Sequence, residues 1–154
     1  MSRLSAGDTA PDFEMTADDG SVVSRDSQLG SRYVLYFYPK DDTPGCTTQA
    51  CGLRDSWSRV AETGVEVFGV SPDSVRRHVR FREKYSLPFR LLADEGHRMA
   101  EAFGVWVAKK FMGREYMGTE RTTFVIGADG TVEAVLPQVK PDGHVEQLLE
   151  VLAA

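Results

Sequence analysis

Residues 33–46 read YVLYFYPKDDTPGC, and a second cysteine, Cys51, follows five positions after Cys46. The first six residues of this stretch form an apolar, aromatic run, which predicts a buried β-strand. The segment after Cys46 predicts a helix, so this cysteine would lie in the first helical turn. Free N–H groups and the positive end of the helix dipole stabilise a thiolate at such a position. Strand, turn and helix-borne cysteine together indicate a site of thiol chemistry.

The composition is that of one globular domain, which we expect to span residues 1–154. Hydrophobic residues make up 42% of the chain and charged residues 27%, and the net charge of −5 gives no basic footprint for nucleic acid. No apolar run approaches the roughly 20 residues of a membrane helix, and the first residues lack the apolar core of a secretory signal. Two cysteines in a single motif fit a reducing compartment. We therefore predict a cytoplasmic protein that binds neither nucleic acid nor membrane.

The order of predicted elements indicates an α/β protein with a mixed central sheet. The sequences DDG at 18–20 and ADG at 128–130 are turn signals between short apolar runs. The predicted strands cover 13–15, 22–23, 33–38, 65–70, 89–92, 122–126 and 131–136, and the predicted helices cover 46–62, 72–85, 99–103 and 142–152. This order predicts a parallel core, an antiparallel hairpin and helices on both faces of the sheet.

The motif and several stretches outside it resemble one family. Pro39, Thr43 and Cys46 fill the pattern P-x-x-x-T-x-x-C, and Cys51 completes a C-x-x-x-x-C spacing. Further stretches with the same likeness are FYPK at 37–40, CGLRD at 51–55, FGVW at 103–106 and RTTFVI at 121–126. Together they resemble the peroxiredoxins, and among these the subgroup known as bacterioferritin comigratory protein or peroxiredoxin Q. The resemblance covers essentially the whole chain.

This resemblance implies both a fold and an activity. The implied thioredoxin-like fold agrees with the mixed sheet and flanking helices. The implied activity is that of a thiol peroxidase that reduces hydrogen peroxide and organic hydroperoxides without a cofactor, with thioredoxin or a similar dithiol protein as reductant. We expect a monomer, with a weak dimer as the alternative. Gln49 stands where many members of the subgroup have glutamate, so a role for that carboxylate does not transfer.

Cys46 is the candidate nucleophile. An unperturbed thiol has a pKa of about 8.5, and attack on a peroxide needs the thiolate. Thr43 lies three positions upstream, where its hydroxyl can donate to the sulfur or contact a peroxide oxygen. Pro39 and Pro44 restrict the loop, and Pro39 can shield the sulfur from water. Gly45 has no side chain and lets the backbone approach a substrate closely, so the N–H groups of residues 45 and 46 can face the substrate.

A cation beside the thiolate is assigned to Arg121 by the resemblance. In the family an arginine at this place pairs with the thiolate and the peroxide, and its permanent charge and forked donors suit that role. The spacing in the sequence does not show that Arg121 reaches Cys46. Simpler interpretations stay open: a small buried hydrophobe for Cys46, a turn or capping residue for Thr43, and a solvated strand-edge charge for Arg121.

The remaining chemistry-bearing side chains predict no further site. His78, His97 and His144 are scattered and lack the spacing of metal ligands, so no metal site is predicted. They show no pairing with Cys46, which argues against a Cys–His hydrolase. Trp106 and the aromatic residues at 36–38 are predicted to lie in the core, and residues 111–113 are predicted to border the pocket without a catalytic role.

Cys51 is the resolving cysteine by the same resemblance, since a sulfenic acid on Cys46 condenses with a thiol to a disulfide. Helix geometry opposes that bond. Five residues place two helical Cα atoms about 8 to 9 Å apart, beyond the roughly 7 Å limit for a disulfide. The first helical turns must therefore unwind in each cycle, which the modest or poor helix propensity of Thr47, Thr48 and Gly52 favours. The same motion would carry the disulfide toward the surface, where a dithiol protein can reduce it.

Two other functions stay open at the level of the sequence. A thiol–disulfide oxidoreductase normally uses C-x-x-C, so the four residues between Cys46 and Cys51 argue against it. A redox sensor or thiol–disulfide exchange module, in which the cysteine pair switches a surface, is the second alternative. Steady turnover of peroxide with a supply of reductant would separate an enzyme from a sensor.

Overall fold

The computed structural model describes residues 3–153. The strands are β1 (Glu14–Ala17), β2 (Val22–Ser24), β3 (Tyr33–Phe37), β4 (Glu66–Ser71), β5 (Arg90–Ala93), β6 (Trp106–Phe111), β7 (Arg114–Thr119), β8 (Thr122–Ile126) and β9 (Val132–Leu136). The helices are α1 (Arg25–Gln28), α2 (Pro44–Asp55), α3 (Trp57–Ala61), α4 (Val75–Tyr85), α5 (Arg98–Ala102) and α6 (His144–Ala153), with a 3-10 turn at Pro141–Gly143. Among the described residues, no helix combines the length and the apolar character needed to cross a membrane.

Seven of the described strands form one twisted sheet in the order β2-β1-β5-β4-β3-β8-β9. The three strands β3, β4 and β5 run parallel to one another. The hairpin β1–β2 extends the sheet on one side and the hairpin β8–β9 on the other, and their inner strands β1 and β8 pair antiparallel with the core. The mixed sheet predicted from the order of elements is confirmed.

Apolar side chains pack against both faces of this sheet. All five residues of β3 are buried, as expected for a central strand covered on both sides. Their side chains alternate, so that Tyr33, Leu35 and Phe37 enter one core and Val34 and Tyr36 enter the other. Helix α5 packs into the first core, and α2, α4 and α6 pack into the second. Helices therefore cover both faces, as predicted.

The helix predicted over 46–62 is interrupted, so the prediction of a single helix was wrong. Helix α2 ends at Asp55, and α3 begins after a turn at Ser56. Aspartate and serine favour helix ends over helix interiors, because their side chains compete for backbone hydrogen bonds. The ring of Trp57 packs against Phe89 with centroids 5.8 Å apart, which fixes the direction of α3. Both cysteines nevertheless lie within the unbroken part, α2.

The short helix α1 and the hairpin β6–β7 were not predicted. The turn of this hairpin consists of Met112 and Gly113, with φ of 51° and 79°. Tight hairpins need positive φ at both positions, and methionine is an uncommon residue there, so the turn signal was weak. The hairpin forms a sheet of its own, and it leads through Glu120 to Arg121, the residue directly before β8.

Candidate active site

Cys46 is the third residue of α2, and the loop that precedes the helix leaves from the end of β3. The residue is only 2% exposed. The amide of Thr47 donates to the carbonyl oxygen of Thr43 over 2.9 Å, so the amides of Gly45 and Cys46 come before the first intrahelical bond. The sulfur therefore lies where the helix dipole favours negative charge.

The guanidinium of Arg121 lies against the Cys46 sulfur. Its Nη2 donates to Sγ over 3.4 Å, and its Nη1 donates to Gln49 Oε1 over 2.6 Å. Antiparallel pairing of Phe37 with Thr122 places the start of β8 beside the end of β3, where the Cys46 loop begins. Sheet topology thus brings together a cysteine and an arginine that are 75 positions apart in the sequence.

Gly45 leaves the room into which Arg121 fits. A Cβ atom at this position would lie 3.2 Å from Arg121 Nη2 and 3.4 Å from Pro141 Cγ. The first distance is shorter than a comfortable van der Waals contact, so a side chain at position 45 would press on the guanidinium. The glycine allows the cation to approach the first turn of α2 closely.

Thr43 and Pro39 both lie in the loop before α2. Thr43 Oγ1 donates to the carbonyl oxygen of Lys40 over 2.9 Å, which leaves its lone pairs available to accept a hydrogen bond. Thr43 occupies the N-cap position, but its side chain makes no capping hydrogen bond. Pro39 is half-buried directly after Tyr38. The roles of Thr43 and Pro39 toward a substrate stay predictions.

A buried hydrogen-bond network beneath the loop holds Asp41. Tyr38 Oη donates to Asp41 Oδ1 over 2.5 Å, and the amide of Asp41 donates to Asp73 Oδ2 over 2.8 Å. His78 Nε2 donates to the carbonyl oxygen of Leu92 over 2.9 Å, and His78 Nδ1 lies 2.6 Å from Asp41 Oδ2. Two carboxylates and an imidazole within 4.8 Å resemble a metal-ligand set, but their polar atoms already have protein partners. This cluster anchors the loop to α4.

Asp42 fastens the same loop at a second point. Its φ of 57° lies in the left-handed region, which is costly for a residue with a side chain, although aspartate tolerates it better than most. Asp42 accepts hydrogen bonds from Lys84 Nζ and Tyr85 Oη, each over 2.7 Å. Both aspartates of the motif therefore have structural partners on α4, which sequence reasoning missed.

A chain of hydrogen bonds extends from Arg121 Nη1 through three buried side chains. Gln49 Nε2 lies 3.1 Å from His144 Nδ1, and His144 Nε2 lies 2.8 Å from Thr123 Oγ1. Burial, together with the charge of Arg121, lowers the pKa of His144 from 6.5 to about 4. The imidazole is therefore neutral near pH 7. The sequence signal for this network was limited to Gln49, which lies three residues after Cys46 on the same helix face.

The β6–β7 hairpin brings a second cation toward the site. Burial lowers the pKa of Lys109, and the charge of Arg121 lowers it further, whereas the negative charge of Cys46 opposes this shift. The stem of Lys109 runs over Gly118, where a Cβ would lie 3.2 Å from Lys109 Cδ. Residues 111–113, predicted to border the pocket, form the exposed tip of this hairpin.

Cys51 shares α2 with Cys46, and both thiols are free. The buried face of the helix is formed by Cys46, Gln49, Ala50 and Leu53, and Cys51 is half-buried. Five helical residues turn the second side chain about 140° away from the first. The geometric conflict predicted from the sequence is therefore present, because the two cysteines lie in one unbroken helix.

Stability should fall as acid forces His144 to take a proton. Its folded pKa of about 4 lies below its ordinary value of 6.5, so between these values the unfolded chain binds more protons than the folded chain. The contribution of the neutral His144 to the free energy of unfolding is fully present above about pH 6.5. It is lost as the pH falls toward 4, and the loss amounts to about 3 kcal/mol. Urea unfolding between pH 4 and 7 measures it, and His144→Asn should lack this component. Equal losses in the two proteins would contradict a neutral, buried His144.

The chain is similar to known proteins over most of its length. The profile of the AhpC/TSA family matches residues 6–135. Peroxiredoxin Bcp of Bacillus subtilis (strain 168) is 48% identical over 149 residues, which cover 97% of this chain and 95% of the relative. The structure of a cysteine-to-serine mutant of Xylella fastidiosa PrxQ matches with a TM-score of 0.91 and 30% identity, covering 99% of this chain and 98% of that one.

A further solved structure, the bacterioferritin comigratory protein of Xanthomonas campestris, matches with a TM-score of 0.86 and 32% identity, covering 92% of this chain and 90% of that one. The thioredoxin-like fold is therefore confirmed. These matches extend over at least 90% of each relative and of this chain. The chain belongs to the AhpC/TSA family and, within it, to the peroxiredoxins of the Bcp or peroxiredoxin Q group.

Proposed function

We propose that Cys46 is the peroxidatic cysteine of this thiol peroxidase and that Cys51 resolves its oxidised form. The observation that carries the proposal is the contact between Arg121 Nη2 and Cys46 Sγ at the N-terminus of α2. A fixed cation and a helix N-terminus both favour the thiolate over the thiol. The burial of Cys46 keeps water away from the reacting sulfur.

In the first step the Cys46 thiolate attacks one oxygen of the peroxide. An S–O bond forms while the O–O bond breaks, and the departing oxygen takes up the equivalent of the proton that the Cys46 thiol released on ionisation, so it leaves as water or an alcohol. Cys46 is then a sulfenic acid. Arg121 and the N–H groups of Gly45 and Cys46 are the proposed donors for the charge on the departing oxygen. Thr43 and Pro39 would complete the substrate site, Thr43 by accepting the hydroperoxide proton in a hydrogen bond.

Hydrogen peroxide and organic hydroperoxides are the proposed substrates. Both contain the O–O bond that the thiolate attacks, and only the group on the departing oxygen differs. The matched protein of Xanthomonas campestris is described by its alkyl peroxide reduction activity. This similarity supports organic hydroperoxides as substrates here as well.

In the second step the thiol of Cys51 condenses with the sulfenic acid. An S–S bond forms and water leaves, which requires α2 to unwind because its helical geometry separates the two cysteines. The contacts of Gln49 with Arg121 and His144 must break in this opening. The disulfide then passes by thiol–disulfide exchange to thioredoxin or a similar dithiol protein, which restores both thiols.

Serine variants of the two cysteines test this order of steps. Cys46→Ser should lose peroxidase activity, since no other thiol is placed to attack the O–O bond. Cys51→Ser should react once with peroxide, accumulate sulfenic acid on Cys46 and fail to turn over with thioredoxin. Stopped-flow oxidation and dimedone labelling with mass spectrometry measure these outcomes. More than trace turnover by Cys46→Ser would reject the nucleophile, and normal turnover by Cys51→Ser would reject the resolving residue.

Removal of the Arg121 guanidinium should destabilise the Cys46 thiolate relative to the thiol and slow the peroxide step. Arg121→Ala should reduce the rate of peroxide reduction by about 10²- to 10³-fold, because a preorganised donor is lost. In a Cys51→Ser background, the pH midpoint of Cys46 alkylation by iodoacetamide should also move upward. Thr43→Val should slow peroxide reduction in the same direction.

Arg59→Ala is the matched control for Arg121→Ala, because Arg59 is an exposed arginine that pairs with Glu146. It should leave both the rate and the alkylation midpoint unchanged. An Arg121→Ala protein with the midpoint of the wild type would show that Arg121 does not stabilise the thiolate.

Stiffening α2 should slow the disulfide step and spare the peroxide step. Gly52 has nothing within 4 Å of the Cβ that Gly52→Ala would add, and alanine is favoured in a helix interior by roughly 1 kcal/mol. Disulfide formation should slow by up to about 5-fold, with more sulfenic acid and more overoxidation at high peroxide. NMR of the oxidised protein should show loss of helix over residues 46–53. An unbroken helix in the disulfide form would contradict the opening mechanism.

A further inference from the structure

His144 is a buried imidazole whose two nitrogens both have partners in other elements of the fold. It is the first residue of α6 and is 1% exposed. Nδ1 meets Gln49 of α2 over 3.1 Å, and Nε2 meets Thr123 of β8 over 2.8 Å. The proposed steps of catalysis use none of its protons, so its position calls for another explanation.

The chemistry of the partners fixes the direction of every hydrogen bond in this network. A guanidinium only donates, so Gln49 must present Oε1 to Arg121 Nη1. The amide nitrogen Nε2 of Gln49 then faces His144 and donates to Nδ1, which must carry a lone pair. The proton of the neutral ring therefore sits on Nε2 and is donated to Thr123 Oγ1.

The other tautomer of His144, protonated on Nδ1, would remove the acceptor that Arg121 needs. A proton on His144 Nδ1 would oppose the NH₂ group of Gln49, and the amide would have to rotate by half a turn. Gln49 would then present two N–H donors to Arg121, which has no acceptor to offer. Only the tautomer protonated on Nε2, whose N–H Thr123 Oγ1 accepts, lets Gln49 hold the guanidinium by its oxygen.

We propose that His144 is a positioning residue that holds Arg121 on the Cys46 sulfur by fixing the amide orientation of Gln49. His144 itself contacts neither the sulfur nor the substrate. The inference rests on the proposed function, because it assigns the contact between Arg121 and Cys46 to the peroxide step. Thr123 accepts the hydrogen bond from His144 Nε2 and is the far end of the same network.

The same network also favours the helical form of the segment that must open. Gln49 lies between Cys46 and Cys51 in α2, whereas His144 begins α6 and Thr123 lies in β8, outside that segment. The contact between Gln49 and His144 therefore exists only while residues 46–51 are helical. Weakening this contact should slow the peroxide step and speed the disulfide step, which is a split that general destabilisation would not produce.

Three variants of the full-length protein test the proposal, each assayed with hydrogen peroxide by stopped flow. His144→Leu removes the imidazole hydrogen bonds to Gln49 and to Thr123. Peroxide reduction should then slow about 10-fold, less than in Arg121→Ala. The pH midpoint of Cys46 alkylation should rise, and disulfide formation should become faster than in the wild type. His144→Asn keeps an acceptor for Gln49 at the place of Nδ1, so it should recover part of the peroxide rate.

Thr123→Val and Thr122→Val form a matched pair that does not depend on His144 variants folding. Both threonines are fully buried, but Thr123 Oγ1 meets His144, whereas Thr122 Oγ1 has no hydrogen-bond partner among the residues described. Thr123→Val should reproduce the direction of the His144→Leu effects on both steps. Thr122→Val should match the wild type in both.

The outcomes separate this inference from the proposed function. Wild-type rates and alkylation midpoint in folded His144→Leu, or identical behaviour of the two threonine variants, would overturn the positioning role while Cys46→Ser stays inactive. Slowing of both steps together in His144→Leu and Thr123→Val would also overturn it, because that pattern indicates a general structural defect. Activity in Cys46→Ser would instead remove the proposed function.

Discussion

The hydrogen bond from Arg121 to the Cys46 sulfur is the contact on which the rest of the site depends. A thiolate in a position that is 2% exposed loses most of its hydration, and such a charge is costly without a partner. The structure supplies a permanent cation and a helix N-terminus at the same place. Gly45 provides the space that lets these two sources of positive potential meet at one sulfur.

Two buried histidines hold the reactive segment from opposite sides. His78 of α4 binds Asp41 in the loop before the reactive helix, and His144 of α6 binds Gln49 within that helix. The second nitrogen of each imidazole forms a hydrogen bond to a strand: His78 to Leu92 of β5, and His144 to Thr123 of β8. Both anchors are polar groups satisfied inside the core, so they define the geometry of loop and helix more sharply than apolar packing alone would.

In the proposed cycle, helix α2 must be rigid for the peroxide step and open for the disulfide step. In the reduced state, Ala50 and Leu53 are buried against the sheet, and Gln49 is bonded to two elements outside the helix. These contacts keep Cys46 beside Arg121 and keep Cys51 out of reach. In the proposed cycle, formation of the disulfide favours the opened state, because the covalent bond is incompatible with the helical spacing of the two cysteines.

The sequence by itself determined the local parts: the buried strand β3, the cysteine in the first turn of a helix, and the conflict between that helix and a bond to Cys51. These depend on periodicity, helix geometry and turn residues within short windows. The tertiary structure decided that Arg121 reaches the sulfur, that α2 stops at Asp55, and which residues complete the network, namely Gln49, His144 and Thr123. Contacts between side chains so far apart follow from strand order and register, here β8 beside β3, and no local pattern encodes that pairing.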